Sequence, residues 1–256
     1  MSWLLTYKLI ITTGWFLTIF ITERLSMAVP WPETCKKMAA FYRVISNMSL
    51  ATINIVLSPL IIIPVTAYVS QHSIDWRPVW MQSSAWILLD IVILDAFLYG
   101  WHRMVHQLPL LWRFHRVHHL DQFLDSTSAL RFHFGEVMLA AIVRSLIVVA
   151  LAIPITSVII FEIIVIVATI FHHSNLRIPA TIESALSKVM VTPSIHWIHH
   201  RAERQDTDSN YATVFSFWDG LFNTRSPTKR TPTLMIGVEG ETEKNLSQLL
   251  ILPFRR

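Results

Sequence analysis

The chain has 256 residues, 53% of them hydrophobic and only 15% charged, with a mean hydropathy of +0.47. Soluble domains carry about 25% charge, so this is the composition of a membrane protein. The net charge of +4 is scattered, and Lys/Arg beside anionic headgroups account for it without a nucleic-acid partner. The single cysteine, Cys35, excludes an intramolecular disulfide and any CxxC metal site.

An apolar run over residues 3–22, broken only by Lys8, is long enough to cross a bilayer and is read as a retained helix rather than a cleaved signal. Residues 23–47 form a polar connection. Residues 48–69 are an uncharged second span, with Pro59 and Pro64 expected to kink it. A short link at 70–78 holds Asp75 and Arg77, and His72 beside it reads as an ordinary polar residue. The third span, residues 79–101, runs directly into His102 and contains Asp90 and Asp95. Asp95 lies two helical turns before His102, where a carboxylate could orient that imidazole.

The next apolar stretch, residues 137–171, has Pro154 near its middle. Two limbs of about 17 residues would each reach roughly 25 Å, slightly less than the roughly 30 Å hydrocarbon core. A tight hairpin turning at 153–154 fits better than one helix, whether or not it crosses fully. Its only full charges, Arg144 and Glu162, lie nine residues either side of Ile153, so they are expected to pair across the limbs. Residues 172–256 form a polar tail, in which 226–256 is Pro/Thr/Lys-rich. The first connection carries four Lys/Arg and the second one, which places residues 23–47 in the cytoplasm. With an even-crossing hairpin, everything from residue 102 onward, apart from that hairpin, is cytoplasmic too.

Histidine spacing carries the chemistry. His102 and His106 stand at i, i+4, and His115, His118 and His119 at i, i+3, i+4; the latter pattern returns at His196, His199 and His200. On helices each set shares one face. Eight imidazoles are too many for one ion, so a dinuclear site follows, and neutral imidazole suits Fe, Zn, Cu or Ni. HHSN at 172–175 brings His172, His173 and Asn175 beside the membrane at the end of the hairpin. The chain has no P-loop, GxGxxG or HExxH. The missing HExxH and the surplus of imidazoles disfavour a hydrolytic zinc enzyme. A metal transporter should place its ligands at the bilayer midplane, whereas these sit at segment ends.

The segments DAFLYGWHRMVH, LLWRFHRVHH, LRFHFGE, FHHSNLRIP, TPSIHWIHH and NYATVFSFWDGLFNT, over residues 90–225, resemble in order the motifs of the sterol desaturase/fatty acid hydroxylase superfamily. That resemblance implies an all-α membrane protein with a cytoplasmic histidine-rich dimetal cap, and a non-haem di-iron oxidoreductase that uses O2 and two electrons to hydroxylate a fatty acyl or sterol-like lipid. Desaturation by the same centre is the close alternative, and a non-catalytic metal-binding membrane protein a distant one. Carried over by position, the implied ligands are His102, His106, His115, His118, His119, His173, His196, His199 and His200. His133 matches the family's His-Pro histidine, with Phe134 in place of the proline; Ala212 and Asn223 stand where glycines are common. The implied organisation is an amino-terminal membrane region at 1–78, a catalytic domain at 79–225 that includes the hairpin, and a tail at 226–256. The cofactor would be two iron ions, for which zinc could substitute in purified protein because affinity alone favours zinc over Fe(II). The chain has no haem domain, Fe–S cysteine set or flavin fingerprint, so electrons would come from an external ferredoxin or cytochrome b5-like partner with its reductase.

Overall fold

The computed structural model describes residues 2–31, 37–71 and 77–255, so His72, Asp75 and Cys35 lie outside the described residues. Among these residues the fold is all-helical, with no strand and only isolated bridges such as Met27 with Leu176. The helices are α1 (Ser2–Leu25), α2 (Lys37–Gln71), α3 (Ile87–Gln107), α4 (Pro109–His119), α5 (Phe134–Ala150) and α6 (Ile155–His173), followed by the short α7 (Ala180–Leu186), α8 (Pro193–His199), α9 (Arg204–Thr207), α10 (Phe217–Leu221) and α11 (Leu246–Ile251). Three helical stretches are long and apolar enough to cross a membrane: Ala39–Leu60, Ser84–Gln107 and Ile155–His173. The chain is an integral membrane protein on that ground.

Two boundaries differ from the sequence expectation. The polar connection at 23–47 becomes helical from Lys37, because Arg43 and Asn47 find buried partners. Residues 79–86 form 3-10 turns rather than the start of the third span, which begins at Ile87 and continues through His102 and His106. α2 continues through both Pro59 and Pro64.

The hairpin forms as the charge pattern suggests. α5 and α6 are joined by a turn at 151–154, where Ala152 takes φ 47° and Pro154 caps α6. Its inner face packs Ile153, Val158 and Phe161 against Ile91 and Leu94 of α3. Arg144 Nη2 donates to Glu162 Oε1 at 3.0 Å across the limbs. A third member was not legible in the sequence: Lys8 Nζ, from α1, donates to Glu162 Oε2 at 2.5 Å. One carboxylate thus serves two cations.

The α1 end is tied down by a second buried acid. Glu23 accepts from Ser126 N–H at 3.0 Å, Ser126 Oγ–H at 2.5 Å and Asn175 N–H at 3.0 Å. The Asn175 side chain then brackets Val29, accepting from its N–H at 3.0 Å and donating to its carbonyl at 2.7 Å. The polar tail folds back as well: Leu249 and Leu252 pack with Leu50, Val117 and Leu120.

Because Glu162 is shared, its loss strands two cations where an unpaired charge is costly. Glu162→Gln is expected to lower stability in detergent more than Lys8→Gln or Arg144→Gln. Losses of roughly 1–3 kcal/mol lie between the surface and fully buried ranges for ion pairs. Exchanging the charges (Arg144→Glu with Glu162→Arg) should rescue only in part, since the new arginine faces Lys8. Thermal unfolding midpoints that fall equally for all three single substitutions would rule out a shared anion.

Candidate metal centre

The centre begins with a break in the chain. Leu108 is extended (φ −92°, ψ 116°) and Pro109 opens α4, since proline fits the first turn of a helix but cannot continue the one before it. α3 and α4 therefore meet at an angle, and His102 and His106 on one face the rings of His115 and His119 on the other. α8, with Pro193 in its first turn, brings His196 and His199, with His200 immediately after; the end of α6 brings His173.

These nine histidines form two groups. His102, His106, His115, His119 and His199 are one; His118, His173, His196 and His200 are the other. Within each, one ring nitrogen per residue lies within 4.8 Å of all the rest. The HxxHH motifs do not each serve one group: His118 parts from His115 and His119, and His199 parts from His196 and His200. Each motif contributes to both.

Ring orientation is set from outside the groups. His102 Nδ1–H donates to the Tyr211 carbonyl (2.7 Å), His199 to Ser209 (2.7 Å), His173 to Thr169 (2.8 Å) and His118 to Arg131 (3.2 Å). His115 Nδ1 meets Glu136 Oε1 at 2.7 Å, and His106 Nδ1 meets Asp208 Oδ1 at 3.3 Å. A carbonyl only accepts, so the ring proton sits on Nδ1 and Nε2 is left as a lone pair. Nε2 of His106 and of His199 are buried with no hydrogen-bond partner. More telling, His118 Nε2 and His173 Nε2 lie 3.0 Å apart although both rings have committed their proton to a carbonyl. Two lone pairs at that distance repel unless a cation lies between them. His196 Nε2 is 3.0 Å from His173 Nε2, and His200 Nε2 is 3.1 Å from His196 Nε2. Burial first, and then neighbouring imidazoles, hold His118, His119, His196, His199 and His200 well below the usual imidazole range. They are neutral donors, as metal binding requires. The donor set fits two metal ions.

The remaining candidates have other places. His172 joins neither group; its ring centroid lies 4.0 Å from that of His196, the planes tilted by 47°. His133 caps α5, accepting from Gly135 N–H at 3.0 Å while Nε2–H donates to the Leu250 carbonyl at 3.0 Å. A side chain at Gly135 would collide with Phe114, so the cap and the close α4–α5 approach go together. Asn175 instead brackets Val29 with its side-chain amide. The expectation that Asp95 orients His102 is corrected. Its Oδ2 accepts from Trp218 Nε1–H (2.8 Å) and Phe215 N–H (3.1 Å), because the loop after α9 folds over α3 and carries its own donors there. Asp95 acts one step away, holding the loop whose Tyr211 carbonyl orients His102. Asp219 completes that loop, accepting from Tyr211 N–H and Ala212 N–H at 2.8 and 3.1 Å. Ala212, which stands where glycines are common, is fully buried and needs no left-handed backbone, and Asn223 supplies the left-handed turn itself with φ 54°.

An apolar cavity of about 470 Å³ opens from the histidines between α2, α3, α5 and α6. Along α5 it follows Glu136, Val137, Ala140, Ala141 and Arg144, whose spacing places them on one helical face. His102, His115, His118, His172, His173 and His196 form its inner end.

A family model described as fatty acid hydroxylase matches residues 87–224. An ornithine lipid hydroxylase of Rhizobium tropici is 27% identical over 187 residues, covering 73% of this chain and 55% of that protein. Human alkylglycerol monooxygenase is 29% identical over 59% of this chain and 32% of its own length. A very-long-chain aldehyde decarbonylase of Oryza sativa subsp. indica is 29% identical over 60% of this chain and 26% of its own. The chain thus spans about half the length, or less, of these curated relatives. No solved structure matches. The family model covers more than half of the chain and includes all nine grouped histidines, so the chain belongs to the fatty acid hydroxylase family.

Proposed function

We propose that this protein is an iron-dependent lipid C–H hydroxylase. The observation that carries the reading is the pair of facing lone pairs on His118 and His173, inside a set of nine gathered imidazoles. In this reading His102, His106, His115, His119 and His199 hold one iron, and His118, His173, His196 and His200 the other. The two irons would supply, from O2 and two electrons, the oxidant that an unactivated C–H bond requires. The chain's own residues do the rest. Carbonyls of Tyr211, Ser209, Arg131 and Thr169 fix the tautomers, and Glu136 and Asp208 steady His115 and His106. The cavity binds an alkyl chain and keeps water from the reacting carbon, its Ala140 and Ala141 leaving room along α5. That the relatives act on an ornithine lipid and an alkylglycerol supports a lipid substrate here. Electrons come from an external ferredoxin or cytochrome b5-like donor. The excess of Lys/Arg at 23–47 supports a cytoplasmic centre.

Elemental analysis of purified protein should find about two metal ions per chain. His118→Ala and His199→Ala strike one group each, and each should lower metal content and abolish O2-dependent lipid hydroxylation. Membrane insertion should be unaffected, because it depends on the apolar spans. A single bound metal, or full turnover with both histidines replaced, is incompatible with the proposal.

Topology gives an independent check. Reporters fused at residues 75, 125 and 210 should read outside, inside and inside. A reversed pattern would move the centre, and its electron donor, to the other face of the membrane.

A further inference from the structure

The gathered histidines have two faces, and the cavity uses only one of them. Its wall takes in His118, His173 and His196 of the four-membered group, but only His102 and His115 of the five-membered one. On the other face a tryptophan closes the centre. Trp112, in the first turn of α4, has its ring 5.1 Å from that of His106, 5.3 Å from His119 and 6.2 Å from His115. It is half-buried, whereas those three imidazoles are at most 2% exposed. The Arg204 guanidinium lies 4.4 Å above its ring, and the Arg204 side chain is 50% exposed. Arg204 also donates to the His106 carbonyl at 2.8 Å and to Asp208 at 2.6 Å, and Asp208 in turn meets His106 Nδ1. Trp112 thus bridges the protein surface and the buried ring set.

The surroundings of that bridge are basic. Arg204 and Asp208 offset one another, and Arg116, one turn beyond Trp112, is paired with Glu241. Arg113, next to Trp112, is exposed and makes no ion pair among the described residues. Arg103, like Arg204, lies near the Tyr211 phenol, whose ring is 5.2 Å from that of His106. Resting on the reading of the centre as a di-iron oxygenase, we infer that electrons enter at Trp112, and that the face carrying Arg103, Arg113 and Arg204 docks an acidic one-electron carrier. A basic patch steers such a carrier at long range. Its electron passes through the indole because tunnelling falls less steeply through packed rings than across an open gap. Each encounter oxidises one carrier by one electron and reduces one Fe(III) to Fe(II). Two encounters provide the two electrons that, with O2 and two protons, convert a lipid C–H into C–OH and water. The two groups thereby divide their duties: the five histidines receive electrons, and the four, which the cavity meets more fully, face the alkyl chain. Lipid and carrier reach the centre from opposite sides, so neither need leave for the other to arrive.

The test uses the iron-loaded full-length protein in lipid nanodiscs and two acidic carriers, the soluble domain of a cytochrome b5 and a plant-type ferredoxin. Binding is read by titration at low and high salt, electron transfer by anaerobic stopped-flow oxidation of the reduced carrier, and product by mass spectrometry. At least one carrier is expected to bind, and more weakly as salt rises. Arg113→Glu should weaken that binding severalfold at low salt, and Arg113→Lys should not. Trp112→Leu should leave metal content and carrier binding near native but slow carrier oxidation severalfold, with Trp112→Phe restoring most of the rate. Protein reduced to completion with dithionite and then given O2 bypasses the carrier, so native protein and Trp112→Leu should yield equal product in that single turnover. Native binding in Arg113→Glu overturns the inference, as does a native rate of carrier oxidation in Trp112→Leu. Loss of metal or of the single-turnover product in Trp112→Leu would make Trp112 a structural support and overturn it too, as would failure of both carriers to bind. No oxygenated lipid from dithionite-reduced native protein would remove the hydroxylase reading, while the carrier kinetics would still decide the role of Trp112. Normal single-turnover product with carrier oxidation indifferent to Trp112 would do the reverse.

Discussion

The structure depends on keeping nine imidazoles buried and pointed inward at once. A buried ring with both nitrogens unsatisfied is expensive, and a protonated ring among eight others more so. The solution, at six of the nine, is to turn Nδ1 outward to an acceptor. Four backbone carbonyls and two carboxyls receive those six nitrogens, so the inward nitrogens remain as lone pairs. Much of the architecture follows from the need for those acceptors. The segment 206–224 crosses α3 because Ser209, Asp208 and Tyr211 must reach His199, His106 and His102. Asp95 and Asp219, remote from the centre, hold that segment by its N–H groups.

A second buried polar knot fixes the other side. The Arg43 guanidinium, on α2, engages Asp121, Asp125, Ser128 and the Phe123 carbonyl, while Arg131 engages Val117, Asn47 and Glu243. Burial alone would raise the Asp121 carboxyl, but Arg43 and Arg131 outweigh it and hold it below the usual range. The knot closes the loop from 120 to 131, whose last carbonyl orients His118. With both guanidiniums paired, it rigidifies; missing one partner, it would leave a buried charge, which is far costlier than never having built it.

The sequence made most of the centre legible, because i, i+3 and i+4 spacing is a property of helices that survives without tertiary information. It showed the histidines that gather and the Arg144–Glu162 pair, whose symmetric placement about Ile153 is visible in one dimension. It could not show how the two HxxHH motifs divide between groups, since that depends on the angle at Leu108 and the approach of α8. Carbonyl partners such as Tyr211 and Ser209 have no side-chain signature. Asp95 misled because helical register pointed to His102, whereas a loop 120 residues away supplied nearer donors. Glu136 was in view inside RFHFGE, but only the fold puts it against His115. Lys8 read as an interruption in an apolar run, and its partner lay 154 residues downstream.

That separation has a consequence for how the molecule is made. Synthesis proceeds from the amino terminus, so α1 reaches the bilayer with an ammonium group and no counter-ion while more than half of the chain is still to be translated. A lone lysine in hydrocarbon must stay at the interface or bend toward it. Only when α6 emerges does Glu162 arrive, itself already answered in part by Arg144 on the preceding limb. The final seating of α1 is therefore deferred until α6 is in place.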